Sequence, residues 1–406
     1  MIRVSCGLST LADAKTAAND ALDRALAPLD GLVPNLAFVF ISQAHVPQTD
    51  VIVTLLRSAL PGAVLVGSSA ESVVGEESEV ETGPAISVWL GALQGAELSP
   101  FRVELTQTPD GQALVGFPFI SRNVTAGIII ADPHSFPTGH LISSLNGDHP
   151  GLPLIGGQPG GSGPKALILN DSISGRGAVG VLIGGEVKVD PVVSQGCRPI
   201  GEPYVITQAE GVVIRELGGK PPLQRLREAV APMDPREPSE ILGNLHIGLA
   251  IDESKTTPEP GDFLVRGLMH ANLETGEIVV GDNVTVGQLV QFQLRDAGKA
   301  HDELITLLQR RMGRSGGVAA PIPMDPSAPE AANPPDQTTP AGALLFTCNG
   351  RGTNLFDEKD HDVTAIRKTM SDIAVAGMSC AGEIGPVGGR NFLHGFTASI
   401  ALFDEK

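Results

Sequence analysis

Basic clusters are missing from this chain. Lys and Arg number 28 against 46 Asp and Glu, a net charge of −18. A field of that sign repels phosphate backbones and anionic membrane surfaces, so nucleic acid is not an expected partner. The nearest thing to a cationic patch, Arg310, Arg311 and Arg314, reads as the basic end of a helix. Long hydrophobic runs are missing too. None approaches the ~20 residues that a membrane helix needs. The opening MIRVSCGLST has no apolar secretory stretch, so neither membrane insertion nor export is expected. Cysteine is scarce: Cys6, Cys197, Cys348 and Cys380 are far apart, with no CxxC and no zinc spacing. That places the chain in a reducing, cytoplasmic setting without disulfides. The histidines and acids at His134, His140, Asp148 and His149, and at Asp360, His361 and Asp362, form neither a helical HxxxH nor a facial triad. No metal and no cofactor is expected from them. With one Trp and one Tyr, the core must be mostly aliphatic.

Apolar residues (42%), 49 glycines and 32 prolines make a turn-rich chain of 406 residues that can bury a sizeable core. One short plan occurs three times: a buried strand, a helix, a second strand ending in a Gly/Ser stretch, and a returning strand. It runs as LAFVFISQ, VLVGSSAES and AISVWL; as AGIIIAD, PLIGGQPGG and AVGVLIGG; and as ALLFTCNGRG, VAGMSCAGEIG and HGFTASIALF. Such repetition points to duplication and singles out the strand ends as ligand positions. Runs like LAFVFI lack polar alternation and are covered on both faces. The expected fold is α/β: repeated strand–helix–strand–strand units forming a mixed sheet, or sheets, covered by helices. GGQPGG is no dinucleotide fingerprint, because Pro159 interrupts it and no helix follows.

Apolar residues from Leu8 to Leu26 at three- and four-residue spacing predict a helix capped by Ser9 or Thr10. Residues 245–295 read as strands and turns, and 300–312 as a helix. The polar, Pro-punctuated MDPREPSE (233–240) suggests a division into regions 1–232 and 233–406. The Pro-rich stretch within 313–342 has too few apolar side chains to order itself and reads as a flexible insertion in the second region.

CNGRG (348–352) comes straight off a buried strand. Gly350 and Gly352 permit positive φ, and Arg351 offers a rigid cationic fork. MSCAGEIGP (378–386) reads as the matching turn, with Ser379, Cys380 and Glu383. If the two turns meet, Arg351 could take the acid end of a zwitterion and Glu383 its ammonium, with Asn349 and Ser379 as orienting hydrogen-bonders. Alternatively, Arg351 and Glu383 simply pair with each other. His394 is either a pocket hydrogen-bonder or a structural histidine at a strand end. A cysteine nucleophile, Cys348 or Cys380 with His394 as base, is the enzymatic alternative; a scaffold with no ligand is another.

CNGRGTNLF followed by AGMSCAGEIGPVGGRNFLHGFTASIALF resembles the FIST C-terminal domain. PNLAFVFIS, LPGAVLVGSSAES, GIIIADPHSF and GLPLIGGQPGG resemble the FIST N-terminal domain. The resemblance covers about residues 30–400. It implies a cytoplasmic sensory protein of intracellular signal transduction that binds a small ligand, an amino acid or other small carboxylate, and is not an enzyme. No kinase, helix-turn-helix or F-box accompanies it in these residues, so a separate output protein is the expected partner.

Overall fold

A computed structural model describes residues 2–109, 111–232, 244–251, 263–313 and 339–406. The MDPREPSE segment and most of the Pro-rich stretch lie outside the described residues. The chain forms two compact units, one of residues 1–194 with 304–406 and one of residues 195–303. These units cut the chain at places other than 232.

In the first unit all three repeats fold to one plan. Leu36–Ser42, helix Thr49–Ala59 and Val64–Ala70 make a parallel crossover, and Ile86–Leu93 returns antiparallel to the first strand. Val124–Ala131, helix Thr138–Asp148, Leu154–Pro159 and Ala178–Gly185 do the same. So do Gly342–Cys348, helix His361–Thr369, Ala374–Val387 and Ala398–Glu405. The first repeat builds a six-stranded mixed sheet; the second and third share a larger mixed sheet, joined where Leu154–Pro159 pairs antiparallel with Ala374–Val387.

The two sheets pack face to face. Leu36, Phe38 and Phe40 share an apolar cluster with Ile128, Ile130, Leu344 and Phe346 from the other sheet. The alternate residues Ala37, Val39 and Ile41 face outward, against the Ala-rich side of helix Ala14–Leu26 and the helix Thr49–Ala59. A strand's side chains alternate between faces, so a strand with sheet on one side and helix on the other is apolar throughout. On the third repeat, Ala343 and Leu345 meet Val363 and Ile366 of its helix. The N-terminal helix is capped by Asp13, whose carboxylate accepts from Thr16 N–H, rather than by Ser9 or Thr10, since the strand before it extends to Ser9.

The second unit contains a closed barrel of Cys197–Glu210, Val213–Leu217, Ile278–Val280, Phe263–Ala271, Leu245–Ala250 and Leu289–Arg295. Its own apolar cluster includes Ile206, Ile214, Ile247 and Phe292.

The Gly-rich stretch 378–386 is not a turn. It lies inside the 14-residue strand Ala374–Val387. Its glycines answer close approach: a Cβ at Gly382 would stand 2.8 Å from Gln158 Oε1, and one at Gly385 2.7 Å from Ser399 Oγ.

Candidate functional site

The crossover strand Gly342–Cys348 ends beside a cleft of about 200 Å³, lined by residues 347–349, 351, 352, 354 and 379 from the third repeat. Its other wall is Glu71, Ser72, Val74, Glu79, Glu81 and Thr82, from the end of Val64–Ala70 and the hairpin Val73–Gly75/Ser78–Val80. That hairpin is held where Val73–Gly75 pairs antiparallel with Met378, Gly377 and Ala376. Ser72 and Ser379 add a reciprocal clasp. Ser379 N–H donates to Ser72 O at 3.0 Å, and Ser72 N–H donates to Ser379 Oγ at 2.9 Å.

The floor is a buried charge network. Arg351, 1% exposed, grips Asp362 with two parallel bonds of 2.8 Å, Nε to Oδ2 and Nη2 to Oδ1. Asp362 also accepts from Thr347 Oγ1 at 2.6 Å and from His361 Nδ1 at 2.9 Å. Phe356 stacks on the His361 ring and lies under the guanidinium, 5.2 Å from its carbon. Burial opposes a charge on Asp362, but Arg351's charge and these hydrogen bonds outweigh it and hold the carboxyl well below the usual carboxylate range. Glu79 sits beside this pair, its Oε1 accepting from Val363 N–H at 2.9 Å. Burial, reinforced by the Asp362 charge, pushes Glu79 up to about 8.

The expected division of labour between Arg351 and Glu383 is corrected by this geometry. The guanidinium fork is closed on Asp362, so neither a ligand carboxylate nor Glu383 is its bidentate partner. Glu383 is fully buried outside the lining, its Oε2 accepting from Thr397 N–H at 3.0 Å and Thr397 Oγ1 at 2.9 Å. It therefore does not stand as the ammonium partner in the cleft. Burial pushes it up to about 8 against the pull of the Thr397 bonds and the Arg351 charge.

The remaining expected residues divide. Asn349 lines the cleft and donates Nδ2–H to Glu71 Oε2 at 2.7 Å. Gly352 lines it with φ +57°, and a Cβ there would stand 2.5 Å from Glu81 Oε1. Gly350 does not have positive φ; its N–H points at Cys348 Sγ at 3.4 Å. Cys380 is the register partner of Cys348 but packs in the core, where burial pushes its thiol up. His394, outside the lining, bonds Gly385 O through Nε2 at 2.9 Å, a structural contact.

Glu79, Glu81 and Asp362 were not singled out from the sequence. Asp362 stands in the first turn of a helix eleven residues after Arg351, a spacing shared by countless unrelated pairs. Both oxygens of Glu81 accept from Thr353, from N–H at 2.8 Å and from the hydroxyl. The nearby Lys165 is held by the carbonyls of Gly160 and Gly161. The cleft thus carries carboxylates whose charge no free fork opposes. Among the described residues, no group of three His, Cys, Asp or Glu could hold a metal ion, and no helix is long and apolar enough to cross a membrane.

The FIST N domain matches residues 35–220 and the FIST C domain residues 222–386. An uncharacterized protein of Mycobacterium tuberculosis (strain ATCC 25618 / H37Rv) is 40% identical over 405 residues, spanning 99% of this chain and 100% of that one. An uncharacterized protein of Mycobacterium bovis is 40% identical over 406 residues, spanning 99% of both. A solved cyanuric acid hydrolase from A. caulinodans aligns over 100% of this chain and 99% of its own at 10% identity, with a TM-score of 0.28, too low to carry an argument.

Proposed function

Because this chain belongs to the FIST family, whose domains serve signal transduction as sensory inputs, we propose that it is a cytoplasmic receptor for a small amine-bearing ligand of amino-acid size. One observation carries the reading: a cleft of about 200 Å³ walled by Glu71, Glu79 and Glu81, whose lining arginine is already gripped by Asp362. That volume is below the usual drug-sized range of about 300–1,000 Å³ and fits a single amino acid or a short amine. An ammonium group entering there meets the carboxylates of Glu71 and Glu81, while Asn349 and the backbone at Gly352 orient the rest. The ligand leaves unchanged; the reading is of a binder, not an enzyme.

The hairpin bearing Glu79 would carry the signal. It is attached to the third repeat through a short pairing and through bonds that cross the cleft, so an occupant that bridges both walls favours one arrangement of the hairpin over others. A separate output protein would read that arrangement.

A thermal-shift screen tests the proposal. Small amines and amino acids are run beside matched carboxylates that lack the nitrogen. A ligand at about 100 times its Kd adds about 2.7 kcal/mol of stability. Amines should shift the transition, and Glu71→Gln should abolish the shift. Equal shifts from the amine-free carboxylates, or an unchanged shift in Glu71→Gln, would defeat the reading.

A further inference from the structure

Strand ends from all three repeats meet around a Gly-rich loop, residues 160–165, that borders Glu71 of the cleft. Gln43, Asp132 and Asn349 are each the first residue after the first strand of their repeat. Glu71 and Gly160 each follow a second strand in the same way. A Cβ at Gly160 would collide with the Asn349 amide. One at Gly161, where φ is +85°, would stand 3.8 Å from Lys165 Nζ, 3.8 Å from Glu71 Cβ and 3.9 Å from Gln43 Nε2. These three groups therefore border the same open side of Gly161. Burial disfavours the Lys165 ammonium, and the charges of Asp132 and Glu71 favour it. Its Nζ donates to the carbonyls of Gly160 and Gly161, which uses two of its three N–H bonds, and among the described residues it has no ion pair. Among the same residues Gln43 Nε2 is buried without an acceptor, and Asn349 Oδ1 is buried without a donor. Glu71 lies between them, its Oε2 taken by Asn349 Nδ2. Unused donors thus gather at Gly161 and an unused acceptor at Gly160, and buried polar groups of this kind call for a partner.

We propose that Lys165 and Gln43 form an anion seat adjoining the cleft, where the carboxylate of the bound amine is held. Resting on the amine reading of the cleft, this seat adds a requirement that reading leaves open: the ligand carries an acid as well as an amine. The Lys165 ammonium supplies charge and its third N–H, and the Gln43 amide supplies a neutral donor, so one carboxylate accepts from both. The ligand's ammonium meets Glu71 and Asn349 Oδ1, both acceptors. A ligand with both groups partners both orphaned amide atoms at once, whereas an amine alone leaves Gln43 Nε2 buried and unpaired. A carboxylate without an ammonium would face the charges of Glu71 and Asp132 uncompensated.

The test is calorimetric titration of the full chain with the common α-amino acids, each run beside its primary amide, which keeps the ammonium and loses the carboxylate. Propionate, which has no amine, is run beside alanine. An amino acid that binds should do so about tenfold or more tightly than its amide. Lys165→Met should remove that preference, weakening the acid about tenfold and leaving the amide within about twofold. Gln43→Leu should act in the same direction. Trp89 fluorescence checks that each variant is folded, and if Lys165→Met is not, Gln43→Leu is read in its place. An amide bound as tightly as its acid, or a variant that weakens acid and amide equally, overturns the seat and leaves the amine reading standing. Propionate bound as tightly as alanine, with that binding lost in Lys165→Met, upholds the seat and overturns the amine reading. No binding by any acid or amide overturns both.

Discussion

Raising the pH should weaken the first unit, and Glu383 gives the size of the effect. Its carboxyl ionises ordinarily at 4.5 and in the folded chain at about 8. Between those values the folded chain holds a proton that the unfolded chain has released, so unfolding becomes easier by about 1.4 kcal/mol for each pH unit. The contribution is fully present below 4.5 and is lost as pH rises through about 8, a total of about 5 kcal/mol. Glu79, also pushed up to about 8 by burial, acts in the same direction. Asp362 acts in the opposite direction, but its effect falls below its ordinary 3.8 and outside this window. Trp89 is the sole tryptophan and is buried in the inter-sheet core, so its fluorescence reports on the unit that holds Glu383. Urea titrations at about pH 5.5 and about pH 7.5 should show a loss of roughly 3 kcal/mol attributable to Glu383. Glu383→Gln keeps the shape and carries no charge, so its slope against pH should be shallower by about 1.4 kcal/mol per unit. Parallel slopes for wild type and variant, or stability that rises over this interval, would refute the assignment of a buried proton to Glu383.

Asp362→Asn should destabilise the same unit by about 3–5 kcal/mol, read by Trp89 fluorescence in urea, because it leaves the Arg351 guanidinium buried without its counter-charge. Ser379→Ala removes the acceptor of Ser72 N–H and should cost about 1–3 kcal/mol in the same titration. Gly160→Ala would place a Cβ on Asn349 Nδ2 and push that amide away from Glu71. Losing that hydrogen bond to a charged group should cost about 1.5–3 kcal/mol in the same urea titration.

The repeats were legible because each strand is apolar along its whole length and each is followed by a helix period and a Gly-rich strand. Covered faces and crossover connections impose that pattern locally. The stacking of two sheets was not legible, because LAFVFI reads identically whether a helix or a second sheet covers either face. The glycines misled in a specific way. At 378–386 they signalled turns, yet Gly382 and Gly385 exist because Gln158 and Ser399, distant in sequence, come close to the backbone. Arg351, Asn349 and Ser379 line one cleft, with Ser379 in the middle of its strand rather than at a turn. Their partners were not legible, since the pairing of Arg351 with Asp362 depends on how the helix His361–Thr369 docks against its strand. The acids of the hairpin, Glu79 and Glu81, look in sequence like a solvated turn, EESEVETG. Burial, reinforced by the Asp362 charge, changes what Glu79 is.

The cleft also bears on what the two family domains are. The boundary between the matched regions falls at 220–222, and the cleft draws one wall from each side of it, residues 71–82 and residues 347–379. The bonds from Val363 N–H to Glu79, from Thr353 to Glu81, from Asn349 to Glu71 and between Ser72 and Ser379 all cross that boundary. The larger sheet crosses it again, where Leu154–Pro159 pairs with Ala374–Val387 and Val187–Ser194 with Ala398–Glu405. A fragment ending at 221 would expose a row of unpaired backbone groups along Leu154–Pro159 and leave Phe40 and Trp89 without Phe346 and Phe403. The two matched regions are therefore halves of one structural unit, and under the proposed sensory role a ligand would need both walls, the hairpin from the first and the charged floor from the second.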